Sequence, residues 1–474
     1  MIYKKTKIIC TIGPAVETVE KIGMLIDAGM DAARLNFSHG SLDIHSRYIQ
    51  NIRKAGKLKK KMIAIIQDLP GPKIRVGHLE NGAIDLIENS TIRITSREIT
   101  GNNKKFSTNY PRLIFDVKKN ETILLDDGNL RLRVISKSPV NNEIECEVMS
   151  GGILKERKGI NLPHTKLNLP SLTKRDILYL NFGLANDVDF VAMSFVRSSN
   201  DIVLLRNKIR AYNGNAHIIA KIERPEAVEN IDAIIREADC IMVARGDMGV
   251  EISTEEVPLI QKRIIKKCNI AIKPVITATQ MLESMINNSS PTRAEASDIA
   301  NAILDGTDCV MLSAETSTGN HPILAVSTMK KIILKTETIK KPTYFKDMFV
   351  EDSPENTLHT ICNSATEIAA RVNAKAIITI THTGKSPMLL SNHRPFAQII
   401  SATFNDAIIR RCKLIWGVES ILIKQNMDYI RTVALIKSKI ISENILKKKD
   451  RIVIITSMPF SQSESANAIQ VSEI

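Results

Sequence analysis

Short apolar runs rich in β-branched side chains recur along this chain, and polar or charged residues follow each run. Eight such runs cover residues 7–10, 32–35, 62–67, 190–193, 217–220, 240–243, 274–276 and 309–312. Most gaps between them have the periodicity of amphipathic helices, for example residues 253–268, where Ser253 and Glu256 predict a capping box. Strands that alternate with helices predict a parallel sheet covered on both faces, and eight repeats predict a closed (β/α)8 barrel of the α/β class.

Two regions interrupt or follow this pattern. Between the third and fourth runs, residues 91–95 and 131–135 alternate apolar and polar side chains, and several Asn, Asp and Gly pairs mark turns. This predicts an inserted antiparallel β-domain over 69–165, so that the barrel consists of 1–68 and 166–337. Residues 338–474 alternate helices with strands at 376–380, 398–401 and 451–456, which predicts a third, α/β domain.

Composition excludes several classes of protein. Hydrophobic residues are 43% and charged residues 24% of the 474, as in packed globular proteins. No apolar run reaches the roughly 20 residues of a membrane helix, and residues 1–10 lack the apolar core of a secretory signal, so we expect a cytoplasmic protein with no membrane partner. The 7 cysteines form no CxxC pair, which predicts buried reduced thiols. The net charge of +14 is spread along a chain with 4% aromatic residues, so we expect no nucleic-acid binding.

Catalytic residues of a barrel enzyme follow the C-terminal ends of its strands, so the polar residues after each run are the candidate chemistry. After the second run, Arg34 offers a planar fork of donors that suits phosphate. After the third run, two prolines and a glycine predict a stiff hinge into the inserted domain, which can act as a lid. The other polar candidates in these two segments are Asn36, Ser38, His39, Asp68, Lys73 and Arg75. Capped turns, a rigid linker and surface charge are the structural alternatives.

The fifth to seventh runs end in groups that suit a phosphate and a metal ion. Lys221 and Glu223 are two residues apart and share one side of an extended chain. Gly246 lets backbone amides approach an anion, and Asp247 adds a second carboxylate, a set that suits Mg²⁺. The hydroxyl of Thr279 is placed to bind a carboxylate or to relay a proton. Structural ion pairs and helix caps are the alternatives, but together these groups predict a site for an acidic, phosphorylated substrate.

The chain closely resembles the pyruvate kinase family in long collinear segments. The matching residues are 6–14, 34–40, 68–75, 158–163, 221–223, 242–249, 276–285, 291–295, 301–308 and 311–316. The resemblance implies a TIM barrel, an inserted small β-barrel lid and a C-terminal α/β domain of the regulatory type. It also implies phosphoryl transfer from phosphoenolpyruvate to ADP, giving pyruvate and ATP, with Mg²⁺ or Mn²⁺ as cofactor and a homotetrameric assembly.

The resemblance also implies roles for individual residues. Lys221 stabilises the transferring phosphoryl group, and Arg34 binds the phosphate side of the substrate. Glu223 and Asp247 hold Mg²⁺. The substrate carboxylate is gripped by the amides of Gly246 and Asp247 and by the Thr279 hydroxyl, and Thr279 or a water that it orients is a candidate for protonating the enolate. The nucleotide or its metals contact Asn36, Ser38, His39, Arg75 and Lys158.

One departure from the family concerns potassium. Many relatives have a glutamate at the position of Lys73, and they hold a potassium ion among the residues that match Asn36, Ser38 and Asp68, with Leu69 next in the chain. The ammonium of Lys73 can supply that positive charge. We therefore expect that this chain needs no potassium.

A second departure concerns a sugar-phosphate effector. The family's phosphate-binding loop is kept as Thr381, Thr383, Gly384, Lys385 and Ser386. The partner loop at 457–467 lacks the expected glycines and contains Glu464. A side chain there obstructs the close approach of backbone to phosphate. We expect a weak or absent response to fructose 1,6-bisphosphate. A sugar monophosphate is less strongly excluded as an effector.

Two other functions are compatible with parts of the pattern. One is another Mg²⁺-dependent barrel enzyme that uses phosphoenolpyruvate or pyruvate, such as a lyase or a mutase. Lys158 and the large inserted domain favour the kinase, because a second phosphorylated substrate needs a cover. The other is a binding or regulatory protein that retains only the fold, and the intact Lys221, Glu223, Asp247 and Thr279 argue against it.

Overall fold

The computed structural model describes residues 3–163, 165, 167–339, 356–424, 428–460 and 466–474. Within them, eight parallel strands close into a barrel, a mostly antiparallel β-domain is inserted after the third barrel strand, and an α/β domain follows the last barrel helix. Glu464 of the proposed effector loop lies outside these residues. No helix in the described ranges has the length and apolarity needed to span a membrane.

The first part of the barrel contains three strands and two helices. They are β1 (Lys7–Thr11), α1 (Val19–Ala28), β2 (Ala32–Asn36), α2 (Leu42–Leu58) and β3 (Ala64–Leu69). Hydroxyl caps fix both helix starts, because Thr18 accepts a hydrogen bond from the backbone of Lys21 and Ser41 from that of Ile44. The barrel strands are almost wholly buried, as expected for a parallel sheet with helices outside.

The inserted domain packs its strands around one apolar core. Its elements are β4 (Ala83–Leu86), β5 (Thr91–Thr95), β6 (Lys105–Ser107), α3 (Leu113–Asp116), β7 (Thr122–Leu125), β8 (Leu130–Ser138), β9 (Glu143–Ser150), β10 (Gly152–Lys155) and β11 (Ile160–Asn161). Six strands form a sheet in the order β11-β7-β8-β9-β5-β6, and β10 pairs with β4. The β5–β6 pair is parallel and the other pairs are antiparallel.

The chain then returns to complete the barrel. The elements are α4 (Lys174–Ala185), β12 (Phe190–Met193), α5 (Ser199–Ala211), β13 (His217–Ile222), α6 (Pro225–Glu229), α7 (Ile231–Glu237), β14 (Cys240–Ala244), α8 (Arg245–Glu251), α9 (Val257–Ile270), β15 (Val275–Ala278), α10 (Arg293–Asp305), β16 (Cys309–Leu312), α11 (Ala314–Ser317) and α12 (Pro322–Thr336). The predicted capping box at Ser253 is wrong, because α9 begins at Val257 with Pro258 in its first turn and Glu256 at the cap position. Proline fits there since its missing N–H has no partner in a first turn anyway.

The C-terminal domain has a five-stranded sheet in the order β19-β18-β17-β20-β21. Its elements are α13 (Asn356–Arg371), β17 (Ala376–Ile380), α14 (Lys385–Asn392), β18 (Gln398–Thr403), α15 (Asp406–Arg411), β19 (Val418–Leu422), α16 (Tyr429–Ser442), β20 (Arg451–Thr456) and β21 (Ala468–Glu473). The sequence patterns missed β19 and β21. Both lie at edges of the sheet and are only partly buried, whereas the inner strands are buried along most of their length.

Candidate active site

Charged side chains converge at the C-terminal ends of two barrel strands. Lys221 lies near the end of β13, Asp68 near the end of β3, and Glu223 directly after β13. The Lys221 ammonium lies 2.9 Å from Glu223 Oε1 and 3.2 Å from Asp68 Oδ1, and it donates a hydrogen bond to Ser194 Oγ at 2.8 Å. All of these groups are buried. The structure thus brings the predicted cation and two carboxylates into one cluster.

The pKa values in this cluster follow from burial and charge. Burial disfavours the Lys221 ammonium, but Asp68, Glu223 and Asp247 outweigh it and hold the pKa of Lys221 above its usual value. Burial also opposes ionisation of Asp68, yet Lys221 and Arg34 keep its pKa below the usual range. Burial raises the pKa of Glu223 to about 7, because Lys221 offsets the burial only in part and Asp247 adds repulsion. Lys221 is therefore a fixed positive charge at neutral pH.

Arg34 extends the cluster along β2. Its Nε lies 2.7 Å from Asp68 Oδ2, and its Nη1 donates to Thr11 Oγ1 at 3.0 Å. The guanidinium still has further N–H groups, and Arg34 is only partly buried. A phosphate at the mouth can therefore bind Arg34 without breaking its anchor to Asp68.

The sixth and seventh strands supply a second part of the site. The Gly246 N–H, at the start of α8, donates to Thr279 Oγ1 at 2.8 Å, and the Thr279 hydroxyl donates to the carbonyl of Ala278 at 2.6 Å. Thr279 and Gln280 both have positive φ, 67° and 53°, which is strained for a β-branched residue. Arg245 holds this strained pair by donating to both carbonyls, at 2.6 Å and 3.0 Å.

The carboxylates of Glu223 and Asp247 fit a divalent metal ion that retains water ligands. Their mutual repulsion contributes to the raised pKa of Glu223, and a cation between them would relieve it. Within the described ranges, no group of three or more His, Cys, Asp or Glu side chains has the arrangement of a metal cage. Two carboxylates suit Mg²⁺, which completes its octahedron with water and substrate oxygens.

Two of the predicted nucleotide contacts belong to the inserted domain. Lys158 Nζ lies 2.7 Å from Asp126 Oδ1, and Arg75 Nη1 donates to the carbonyl of Arg157 at 2.9 Å. Their backbones are adjacent, because Arg75 bridges Gly159. In the structure these two cations contact other residues of the inserted domain and are not part of the Lys221 cluster.

The predicted potassium ligands lie around the ends of β2 and β3. Asn36 Oδ1 accepts the Ser38 N–H at 3.1 Å, and the Leu69 carbonyl accepts the Ser194 hydroxyl at 2.8 Å. Lys73 makes no hydrogen bond or ion pair with Asn36, Ser38 or Asp68 in the described part of the chain. Its side chain passes close to Gly159, where a Cβ would lie 3.1 Å from Lys73 Cε.

His39 and the predicted effector loop lie outside the cluster. His39 is exposed, and its carbonyl is 2.9 Å from His45 Nε2. In the C-terminal domain, Thr381 Oγ1 accepts the Gly384 N–H at 3.0 Å, and Thr383 Oγ1 accepts the Lys385 N–H at 3.4 Å. Ser386 is buried in the first turn of α14. A cavity of about 550 Å³ adjoins this loop, lined by His382, Thr403, Phe404, Asn405, Asp406 and Leu422.

Sequence reasoning missed Ser194, Phe195 and Arg245. Ser194 and Phe195 directly follow β12, so the rule applied to the other strand ends would have found them. Phe195 has a positive φ of 56°, and this conformation turns its N–H toward Glu223 Oε2 at 2.8 Å. Arg245 looked like part of a charged turn, and only the tertiary structure shows that it supports Thr279.

Comparisons with known proteins agree along the whole chain. Residues 3–326 match the model of the pyruvate kinase barrel domain, and residues 359–472 match that of the pyruvate kinase alpha/beta domain. The pyruvate kinases of Geobacillus stearothermophilus and Bacillus licheniformis are 45% and 42% identical to this chain, over 99% of it and 80% of each relative. The crystal structure of a pyruvate kinase from Cryptosporidium parvum superimposes with a TM-score of 0.91 at 38% identity, covering 99% of this chain and 96% of that one.

Proposed function

This chain belongs to the pyruvate kinase family, and we propose that the Lys221 cluster carries the chemistry of its reaction. The enzyme is a phosphotransferase of glycolysis, which transfers a phosphoryl group from phosphoenolpyruvate to ADP and yields pyruvate and ATP. The bond between phosphorus and the enol oxygen breaks, and a new bond forms to a β-phosphate oxygen of ADP. The observation that carries the proposal is the buried ammonium of Lys221 between two carboxylates at the barrel mouth.

The positive groups at the mouth act on charge that develops during the transfer. Lys221 stays protonated because its carboxylate neighbours raise its pKa, so it stabilises the transferring phosphoryl group and takes no proton. Arg34 orients the phosphate from β2. Family membership implies a divalent metal ion, and we assign Mg²⁺, or Mn²⁺ in its place, to Glu223 and Asp247. Such an ion would neutralise phosphate oxygens and the leaving enolate oxygen.

The α8 start and Thr279 bind the other end of phosphoenolpyruvate. We assign its carboxylate to the Gly246 and Asp247 amides and the Thr279 hydroxyl, since a helix start offers N–H donors. The bond from the Gly246 N–H to Thr279 Oγ1 supports this assignment by showing that the two groups are adjacent, and a carboxylate would replace that bond. The enolate that remains after transfer takes up a proton at carbon. Thr279, or a water that it orients, is our candidate for delivering that proton.

The nucleotide lies between the barrel and the inserted domain in this proposal. Arg75 and Lys158 approach it from the inserted domain, which acts as a lid over 69–165. Asn36, Ser38 and His39 approach it from the barrel, 1–68 and 166–337. Exclusion of water by such a lid protects the transfer from hydrolysis.

Potassium is not required in our proposal. Asp68, the carboxylate that would bind it, is already paired with both Arg34 and Lys221. Lys73 adds a positive charge to the hinge, at a position where many relatives have a glutamate. We further propose a cytoplasmic homotetramer, and a C-terminal domain, 338–474, that responds weakly or not at all to fructose 1,6-bisphosphate.

An assay for ADP-dependent pyruvate formation tests the main assignment. We expect Lys221→Met to lower kcat by at least roughly 1,000-fold, because a buried charge that acts on the transition state is lost. Lys262→Met, which removes an ammonium from an exposed pair with Asp305, is the matched control and should keep wild-type activity. Retention of kcat in Lys221→Met would refute the role of this cluster.

A further inference from the structure

A buried polar contact joins the inserted domain to the barrel beside the active-site mouth. Asn161, the last residue of β11, donates from Nδ2 to Glu251 Oε1 at 2.8 Å. Glu251 is the last residue of α8. Asn161 is 8% exposed and Glu251 5% exposed, so the contact is shielded from water. It connects the final strand of the lid to the helix that begins with Gly246 and Asp247.

Glu251 is also connected to both proposed metal ligands. Asp247 precedes it by four residues on α8, so the two carboxylates lie on the same face of the helix. Arg224, which directly follows Glu223, has its Nη1 3.5 Å from Glu251 Oε2 and is itself 3% exposed. One carboxylate thus contacts the lid and is tied to the segments that hold Glu223 and Asp247.

The contact also fixes the lid cations relative to the barrel. Asn161 lies three residues after Lys158, and the same segment pairs through Gly159 with Arg75. A movement of Asn161 therefore moves both proposed nucleotide contacts with respect to Asp247. The helix α8 is short, so a displacement of Glu251 at its end also displaces its first turn, with no flexible segment between them.

Packing alone is a poor explanation of this contact. Asn161 Oδ1 and Glu251 Oε2 are both buried, and neither accepts a hydrogen bond from a residue that the structure describes, although Glu251 Oε2 is within ion-pair distance of Arg224. A buried acceptor without a donor, such as Asn161 Oδ1, is destabilising. An apolar contact would join the two domains without leaving this acceptor unsatisfied, so the polar pair points to a functional role.

We propose that Glu251 is a positioning residue that couples closure of the lid to the geometry of the metal and nucleotide sites. The inference rests on the proposed function of those sites. In this proposal, the Asn161–Glu251 bond determines where Lys158 and Arg75 lie relative to Glu223 and Asp247 when ADP binds. Without this bond, the lid loses its defined position relative to the barrel. The barrel residues that bind phosphoenolpyruvate keep their own contacts.

Steady-state kinetics of Asn161→Ala, Glu251→Ala and the double variant test this coupling. We expect each single change to raise the KM for ADP and the Mg²⁺ activation constant roughly tenfold, and the KM for phosphoenolpyruvate less than about threefold. The double variant should have a KM for ADP no higher than that of Glu251→Ala alone, because Glu251→Ala already removes the Asn161 contact together with the Arg224 ion pair. Glu251→Gln keeps an acceptor for Asn161 and should restore most of the ADP affinity.

Thr95→Ala is the matched control. Thr95 is equally buried in the lid and donates to the Asn142 carbonyl within that domain, so its loss should leave the kinetic constants within about twofold of wild type. Asn161→Asp has nearly the volume of wild type but sets a carboxylate against Glu251, and it should raise the KM for ADP at least as much as alanine does.

Two results would overturn the inference. One is strict additivity of the two alanine variants, and the other is a change in melting temperature with unchanged KM for ADP and Mg²⁺ activation. A wild-type protein that forms no pyruvate from phosphoenolpyruvate and ADP would contradict the proposed function instead. Failure of the inference would thus be seen in the variants, and failure of the proposed function in the wild-type protein.

Discussion

Lys221 illustrates how neighbours decide the role of one side chain. A lysine this deeply buried tends to lose its proton, because desolvation disfavours the ammonium. Here Asp68 and Glu223 lie within about 3 Å, and the pKa of Lys221 is raised instead. Such a fixed positive charge is what the role that we propose for Lys221 towards phosphate requires. Burial and repulsion from Asp247 raise the pKa of Glu223 to about 7 although Lys221 opposes the rise, and a divalent cation would relieve that repulsion.

Lys73 carries the prediction about monovalent cations. We expect the wild-type protein to turn over at similar rates in potassium and in sodium or tetramethylammonium buffer, because Lys73 adds a positive charge to the hinge and Asp68 is already paired with Arg34 and Lys221. Lys73→Glu should convert the enzyme to one that potassium activates. Initial rates of the wild type and of Lys73→Glu, measured in matched chloride salts at constant ionic strength, test both expectations.

Lys104→Glu controls for the charge change, since it alters an exposed lysine of the same domain. It should show no potassium response. A fall of wild-type turnover by roughly 100-fold when potassium is replaced would reject the prediction, since that equals nearly 3 kcal/mol of transition-state stabilisation.

Among the elements, the starts of alternate barrel strands share one hydrogen-bonding pattern. An aspartate precedes four alternate strands, and each carboxylate accepts a hydrogen bond of 2.8–2.9 Å from the backbone of the neighbouring strand. The aspartates are Asp31, Asp189, Asp239 and Asp308. Each bond fixes the register of one strand pair at the N-terminal face. This face of a barrel carries stability, whereas the opposite face carries the chemistry.

The loop before α14 carries the prediction about effectors. Its hydroxyls and amides bond to one another at Thr381 and Thr383, and the partner loop lacks the glycines that let backbone approach a second phosphate. We expect fructose 1,6-bisphosphate to change the phosphoenolpyruvate concentration at half-saturation less than about twofold. If a sugar phosphate acts through this loop, we expect it to be a monophosphate.

Saturation curves with and without each sugar phosphate provide the measurement. Thr383→Ala should weaken any response to the monophosphate and leave the curve without effector unchanged, because Thr383 is remote from the barrel mouth. A tenfold leftward shift with the bisphosphate would contradict the expectation.

For the whole molecule, ion pairs fasten the C-terminal domain to the N-terminal face of the barrel. Arg410 Nε lies 2.5 Å from Asp189 Oδ1, and Arg394 Nη1 lies 2.8 Å from Asp308 Oδ1. The aspartates that fix the strand register therefore also bind the third domain. Because this interface is opposite the mouth, a signal from the C-terminal domain must cross the barrel to reach the site.

Glu419 at this interface carries the prediction about pH. It accepts from Tyr3 and pairs with Lys413 at 3.1 Å and with the fully buried Lys7 at 3.3 Å. Burial opposes its ionisation, but Lys413 and Lys7 hold the pKa of Glu419 well below its ordinary value. The pair therefore contributes stability above the unfolded pKa of about 4.3 and loses it as the pH falls further.

Thermal unfolding of Glu419→Gln tests this contribution. At pH 7 we expect the midpoint to fall by roughly 3 °C, because the Lys7 ammonium loses a partner. The difference from wild type should shrink as the pH is lowered from 5 towards 3. Glu473→Gln, which breaks an exposed pair with Arg451, is the control and should change the midpoint little at any pH. An equal deficit at pH 7 and pH 3 would contradict the assignment.

Much of the architecture could be predicted from local patterns. The eight apolar runs coincide with β1, β2, β3 and β12–β16, because a strand buried on both faces must be apolar along its length. Edge strands such as β19 and β21 were missed, since they are only partly buried and lack the continuous apolar run of the inner strands. The start of α9 was misplaced, because Ser253 and Glu256 have the spacing of a capping box while Pro258 sets the first turn.

The sequence by itself determined the order of strands and helices and the residue types at the strand ends, because hydrophobic periodicity and the C-terminal-end rule act locally. Only the tertiary structure decided which of those residues meet. It placed Lys221 between Asp68 and Glu223, set Arg245 under Thr279, and joined Asn161 to Glu251. These contacts link residues far apart in the chain, and their distances depend on how the barrel closes and where the inserted domain settles.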